Sequence, residues 1–222
     1  GRLVVDHEAN LRALRAMTDM IWEHDISPVS TFTEMREEEV RTWFQAGDAL
    51  YERNWPYAWP LHQSEDSPVR GKVGVAPVPA IVAEERTSTL GGWHVGVSIH
   101  SDRKADAQRL VEFITSYETQ KRMAIELGWN PGRRDLYEDP DVLEHAPHLD
   151  ELKEVFERAK PRPVEPYYTQ LSRILQRRFN AALAGDIAPE RALEEAQTEI
   201  DRLLERYAPE ESAMSDDAEG AG

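Results

Sequence analysis

The sequence predicts an α/β fold in which helices dominate and the strands gather in the first hundred residues. Three observations carry this prediction. Apolar residues recur at helical spacing over most of the chain, short alternating segments are confined to its first half, and glycines and prolines punctuate the elements. The chain has 222 residues, 40% of them hydrophobic, enough for one good-sized core or for one core and part of a second.

Taken in order, residues 8–24 place Leu11, Leu14, Met17 and Ile21 on one helical face, with Asp6 as the expected N-cap. Residues 33–46 form a second helix presenting Val40, Trp43 and Phe44, and Gly47 stops it. Residues 49–54 read as a strand running into Trp55-Pro56-Tyr57-Ala58-Trp59-Pro60, a segment that two prolines make irregular. A short strand is expected over 73–78. Residues 93–99 alternate, with Trp93, Val95, Val97 and Ile99 on one side, after a Thr89-Leu90-Gly91-Gly92 turn. Helices follow over 103–116 and 117–127, the second closed by Gly128, then a loop over 129–140 rich in turn formers. A short helix over 149–159 ends before Pro161-Arg162-Pro163. Residues 167–184 line up Tyr168, Leu171, Leu175, Phe179 and Ala182 and stop at Gly185. Pro189 opens the last helix at its first turn, with Leu193, Ala196, Ile200, Leu203 and Tyr207 as its stripe. The acidic, small-residue tail over 209–222 is expected to be disordered.

Composition removes several functions. The formal net charge is -16, and the densest basic stretch, Arg173 to Arg178, reads as one solvated helix face, so a phosphate-backbone partner such as nucleic acid is not expected. Strong acidity favours a soluble monomer. Cysteine is absent, which excludes disulfides, thiol catalysis and Cys-ligated metal. No apolar run approaches the roughly 20 residues of a membrane-spanning helix. The chain opens on Gly1 inside a strand-to-helix unit, which suggests that the natural N-terminus lies upstream.

Three segments offer chemistry. Trp55, Tyr57 and Trp59 crowd one proline-rich stretch; sugar rings have apolar C–H faces that stack on such planes, and Tyr and Trp add a polar handle. Aromatics are more often core, but three in a seven-residue irregular loop cannot all point inward. Gly91-Gly92-Trp93 would let a ligand approach the backbone at Gly92 beside a stacking plane at Trp93. The plainer alternative is a tight turn before a buried strand residue. Arg162 is held extended between two prolines, and its guanidinium is a multi-donor partner for hydroxyls or for a structural carboxylate. Catalytic chemistry finds little support. His145 and His148 sit in a local HAPH that breaks helical geometry and lacks a third ligand, and nothing singles out an acid/base carboxylate pair. A carbohydrate-active hydrolase and a non-binding structural fragment stay open as other readings.

Eight motifs occur in a fixed order. They are Phe44-x-x-Gly47-Asp48-Ala49, Asn54-Trp55-Pro56-Tyr57, Val75-Ala76-Pro77-x-Pro79, Ser88-Thr89-Leu90-Gly91-Gly92-Trp93, the Phe113 to Gln120 run, Asp135-Leu136-Tyr137-x-Asp139-Pro140, Arg162-Pro163-x-x-Pro166-Tyr167, and Ala184-Gly185-x-x-x-Pro189-Glu190-x-Ala192-Leu193. In this order the chain resembles the C-terminal part of the family 1 extracellular solute-binding proteins, the sugar-binding subunits of ABC importers, and within them the trehalose/maltose-binding branch. The resemblance implies a type II periplasmic-binding-protein-like fold of two α/β lobes closing on a sugar, here with most of the N-terminal lobe missing. It implies that residues 1–92 and 134–208 belong to the C-terminal lobe and 93–133 to the N-terminal lobe. It assigns ligand contacts to Trp55, Tyr57, Gly92, Trp93 and Arg162. It further implies a binder rather than an enzyme, no cofactor, no metal, a transmembrane permease as partner, and an extracellular or periplasmic location, with a lipid anchor left open.

Overall fold

A computed structural model describes residues 3–80 and 86–207; the acidic tail expected to be disordered lies outside the described residues. The chain divides into two units, residues 1–35 with 164–222, and residues 36–163. The lobe boundaries implied by the resemblance are a different partition of the chain.

In the first unit, α1 (Glu8–Trp22) packs with α9 (Tyr168–Leu183) and α10 (Pro189–Glu205), and a single turn, α2 (Ser30–Thr33), follows α1. Leu14, Ala182, Ala192 and Leu193 form one buried cluster, and Leu171, Ile200 and Leu203 another. The predicted stripes of α9 and α10 are the faces that meet, though Tyr207 ends exposed. On α1 the expected face is displaced. Met17 is exposed and Thr18 is buried in its place, because its hydroxyl is satisfied by the carbonyls of Leu14 and Arg15 at 3.2 and 2.7 Å. The N-cap is His7 rather than Asp6: its ring Nδ1 accepts from the Ala9 N–H at 3.2 Å. Buried Gln197 of α10 ties down the N-terminal segment, accepting from the Val5 N–H at 2.8 Å and donating to the Leu3 carbonyl at 3.0 Å. The Trp22 indole donates to the Leu183 carbonyl at 2.9 Å, one of the acceptors that the end of α9 leaves without a helical partner.

The second unit is built around α6 (Tyr117–Leu127), a 3-10 turn (Arg134–Glu138), α7 (Pro140–His145) and α8 (His148–Arg158). Their core is Ala124, Leu136, Tyr137, Val142, Ala146, Leu149 and Leu152. Asp139 organises it: Oδ1 caps α7 through the N–H groups of Asp141 and Val142, while Oδ2 accepts from the Tyr117 hydroxyl and from Lys121 Nζ. Those hydrogen bonds hold its carboxyl well below the usual range. The expected loop over 129–140 therefore contains a 3-10 turn, and α7 was not anticipated. The HAPH segment divides α7 from α8, as its proline implied.

The remaining elements are α3 (Glu37–Ala46), α4 (Ala58–His62), α5 (Lys104–Thr115), and two short parallel strands, β1 (Thr89–Leu90) and β2 (Lys160–Pro161). Strands expected over 49–54, 73–78 and 93–99 are not formed. Leu50 and Tyr51 lie in solvent, as do Val95 and Ile99, and Trp93 is 102% exposed. A strand needs a partner for its backbone groups, and among the described residues no strand pairs with these segments. On α5 no residue is buried; Leu110 and Phe113 face outward. No helix of the described residues is long and apolar enough to cross a membrane.

Candidate functional site

The Asn54–Pro60 segment is less irregular than its prolines suggested. The carbonyls of Trp55 and Pro56 accept from Ala58 and Trp59 at 3.1 Å each, and these turns lead directly into α4. Pro60 falls in the first turn of α4, where a backbone N–H has no helical acceptor to lose. The segment is then fixed side chain by side chain, all within residues 36–163.

The first turn of α3 holds the polar tips of the two leading aromatics. Asn54 donates to the Glu37 carbonyl at 2.9 Å, and its own Oδ1 accepts from the Trp55 N–H at 2.8 Å. The Trp55 indole N–H reaches Glu37 Oε1 at 3.4 Å. The Tyr57 hydroxyl bonds to Glu38, whose carboxylate also takes the Arg41 guanidinium at 2.9 and 3.0 Å. Burial first, and then the Glu38 carboxylate, push the Tyr57 phenol up to about 12, so it stays a neutral hydrogen-bond donor. Glu38 is lowered chiefly by the Tyr57 hydroxyl, then by Arg41.

The Gly-Gly-Trp turn meets this loop at Gly91. A Cβ on Gly91 would lie 2.8 and 2.9 Å from Cη2 and Cζ3 of Trp55, so the ring lies on bare backbone. Nothing lies within 4 Å of a Cβ on Gly92, which faces open space. Gly91 also ends the strand pairing. Thr89 pairs with Lys160 and Leu90 with Pro161, so Gly91 and Arg162 are the next residues along the two paired strands. The pairing is extended on its other side by the Lys160 N–H to the Ser88 carbonyl at 2.9 Å and Thr87 Oγ1 to the Arg158 carbonyl at 3.2 Å. Arg162 is exposed and, among the described residues, has no ion-pair partner, so the structural salt bridge entertained for it is not made.

Trp55 lies on Gly91, and Gly91 and Arg162 are the residues that follow the last paired positions of β1 and β2. Tyr57 stands two residues from Trp55 with its hydroxyl turned onto α3. Trp93 is not gathered in; its ring stands in solvent. Sequence reasoning passed over Glu37 and Glu38, which looked like ordinary acidic residues at a helix start. It also chose Gly92 over Gly91, because a glycine pair does not say which member a ring approaches.

Residues 4–121 match the family described as bacterial extracellular solute-binding protein. The chain is 34% identical over 209 residues to a probable ABC transporter-binding protein of Deinococcus radiodurans, covering 93% of this chain and 49% of that protein. Among solved structures it is similar to the maltose-bound MalE3 of T. maritima, at 42% identity and a TM-score of 0.87, covering 92% of this chain and 52% of that one. It is also similar to an ABC transporter solute-binding protein from Thermotoga lettingae bound with α-D-tagatose, at 27% identity and a TM-score of 0.75, over 90% of this chain and 50% of that one. The chain belongs to the bacterial extracellular solute-binding proteins, with the type II periplasmic-binding-protein fold, and spans about half the length of the relatives it matches. These relatives are binding proteins of transporters, not enzymes.

Proposed function

We propose that this chain is the ligand-stacking part of the sugar-binding subunit of an ABC importer, which captures a mono- or oligosaccharide outside the cytoplasmic membrane and delivers it to a permease. The observation that supports the reading is the Trp55 ring on the bare backbone of Gly91, at the end of the strand pairing beyond which Arg162 follows, an exposed guanidinium without an ion-pair partner among the described residues. A sugar asks for that set, a plane for its C–H face and fixed donors for its hydroxyls. The names of the similar structures point the same way, since maltose and tagatose are both carbohydrates. Trp55 and Trp93 stack on rings, Tyr57 adds its face while its hydroxyl stays on Glu38, Gly92 leaves space for the ligand, and Arg162 donates to hydroxyls. Closure of two lobes by a hinge would bury the sugar. In this reading residues 1–92 and 134–208 belong to the C-terminal lobe and 93–133 to the other. The outward-facing Val95, Ile99, Leu110 and Phe113 fit a segment that packs on polypeptide contributed by the rest of such a lobe.

The test is a titration of the full-length protein with maltose, trehalose, maltotriose and tagatose, read by tryptophan emission and calorimetry. A saturable change with one of them supports the reading and selects the ligand. A folded protein that binds none of a broad carbohydrate panel overturns the sugar assignment. Gly91→Ala gives a second check. The methyl group would overlap the Trp55 ring, which can swing away, so stability is expected to change little while sugar affinity falls about tenfold, roughly 1.4 kcal/mol. Unaltered affinity with an altered near-UV circular dichroism spectrum would remove Trp55 from the site.

A further inference from the structure

Behind the aromatic loop sits a histidine that packing alone does not explain. His148, at the start of α8, is 4% exposed. Its ring stacks on Trp59 of α4 with centroids 4.1 Å apart and planes 19° from parallel. Among the described residues neither ring nitrogen has a hydrogen-bond partner. Buried polar atoms are nearly always satisfied, and a phenyl ring would fill the same flat space without two unmet nitrogens. Trp59 is in turn tied to the loop through backbone, its N–H donating to the Pro56 carbonyl as the Ala58 N–H donates to that of Trp55. The Trp59 backbone and the turn that holds Trp55 and Tyr57 are therefore one hydrogen-bonded unit.

We propose that His148 is a positioning residue for the sugar site: its neutral imidazole is the back-plate on which Trp59 stacks, it thereby fixes Trp55 and Tyr57, and its protonation loosens them. The proposal rests on the sugar-binding reading above for its functional consequence, but not for the stack itself.

The surroundings support a ring that resists charging. Burial alone moves it, lowering it from 6.5 to about 4. The titratable groups on the elements around it are engaged or turned outward. His62 of α4 takes Glu52, His145 of α7 bonds the Asp141 carbonyl at 2.8 Å, and Asp139 is held by Tyr117 and Lys121. Glu144 of α7, and Asp150 and Glu151 beside His148 on α8, are exposed. A proton on the ring would thus be a buried charge that no carboxylate among the described residues meets. The folded state refuses that proton while the unfolded chain accepts it, so stability falls as pH drops from 6.5 towards about 4 and levels off below.

The experiment uses the full-length protein and the variants His148→Phe, His148→Ala and Trp59→Phe. At pH 7, His148→Phe is expected to keep the affinity for the sugar found by titration within about threefold, since a flat ring still backs Trp59, whereas His148→Ala weakens it tenfold or more. Tryptophan emission of the wild type, followed from pH 7.5 to 3.5, is expected to show a step near pH 4 as the stacked ring charges and quenches the indole. The step is absent in both His148→Phe and Trp59→Phe. Wild-type affinity in His148→Ala overturns the positioning role, and an emission step that survives in His148→Phe overturns the protonation. If His148→Ala fails to fold, a tenfold loss of affinity in His148→Phe overturns the back-plate role, and the emission step still decides the protonation. If the wild type binds no sugar, the sugar reading fails and takes the positioning role with it, while the emission step still decides whether the stack titrates.

Discussion

Trp93→Ala is expected to weaken sugar binding by the full-length protein about 30-fold and to leave its unfolding free energy within about 0.5 kcal/mol. The ring is 102% exposed and makes no packing contribution among the described residues, so its truncation opens no cavity in the core seen here. A sugar covering one face of an indole removes on the order of 80 Å² of apolar surface from water, which is about 2 kcal/mol, or roughly 30-fold in affinity. Paired calorimetry and denaturant unfolding separate the two effects. A loss of stability of about 2 kcal/mol or more would mean that protein, not ligand, covers the ring in the complete molecule. Unchanged affinity with unchanged stability would strike Trp93 from the site.

The difference between Trp93 and Trp55 shows what a sequence can and cannot convey. Both were marked as stacking planes from their neighbours, a glycine pair and a proline-rich loop. The structure places Trp55 on Gly91 and leaves Trp93 alone, because a ring's setting depends on residues far along the chain. Glu37 and Glu38 lie 18 and 19 residues before Trp55 and Tyr57, and His148 lies 89 residues after Trp59, so no local spacing announces them. Helices fared better because their cause is local. The stripes of α9 and α10 and the stops at Gly47, Gly128 and Gly185 were all legible, since the hydrogen bonds that make a helix are internal to it. The alternation over 93–99 was legible as a pattern, yet it records a face without recording what pairs with the backbone. Formation of that strand therefore depends on a neighbour that the described residues do not supply. On α1 the period was read correctly and the buried set wrongly, by one residue, because Thr18 satisfies its hydroxyl within the helix.

Gly128→Ala is expected to cost about 2–5 kcal/mol of stability and to weaken sugar binding as well, whereas Gly47→Ala costs about 1–2 kcal/mol and leaves binding unchanged. Both glycines close helices in the left-handed region, at φ of 64° and 90°, so an L side chain at either meets the same backbone strain. Their surroundings differ. A Cβ on Gly47 would meet nothing within 4 Å, while one on Gly128 would lie 2.5 Å from both Cβ and Cγ of Pro60. Pro60 cannot swing aside as a long side chain would, because its ring is closed onto the backbone of α4. Relief must come from displacing α4, and α4 carries Trp59 and His62, the latter buried against Phe44 and paired with Glu52. The overlap adds roughly 1–3 kcal/mol to the strain. It also transmits a shift to the loop ahead of α4, through the hydrogen bonds from Ala58 and Trp59 back to Trp55 and Pro56. Denaturant unfolding of the two variants measures the difference between the costs, which isolates the Pro60 contact from the strain that the two share. Equal costs would show that α4 yields freely at Pro60, and the aromatic loop would then owe its placement to α3 and His148 alone.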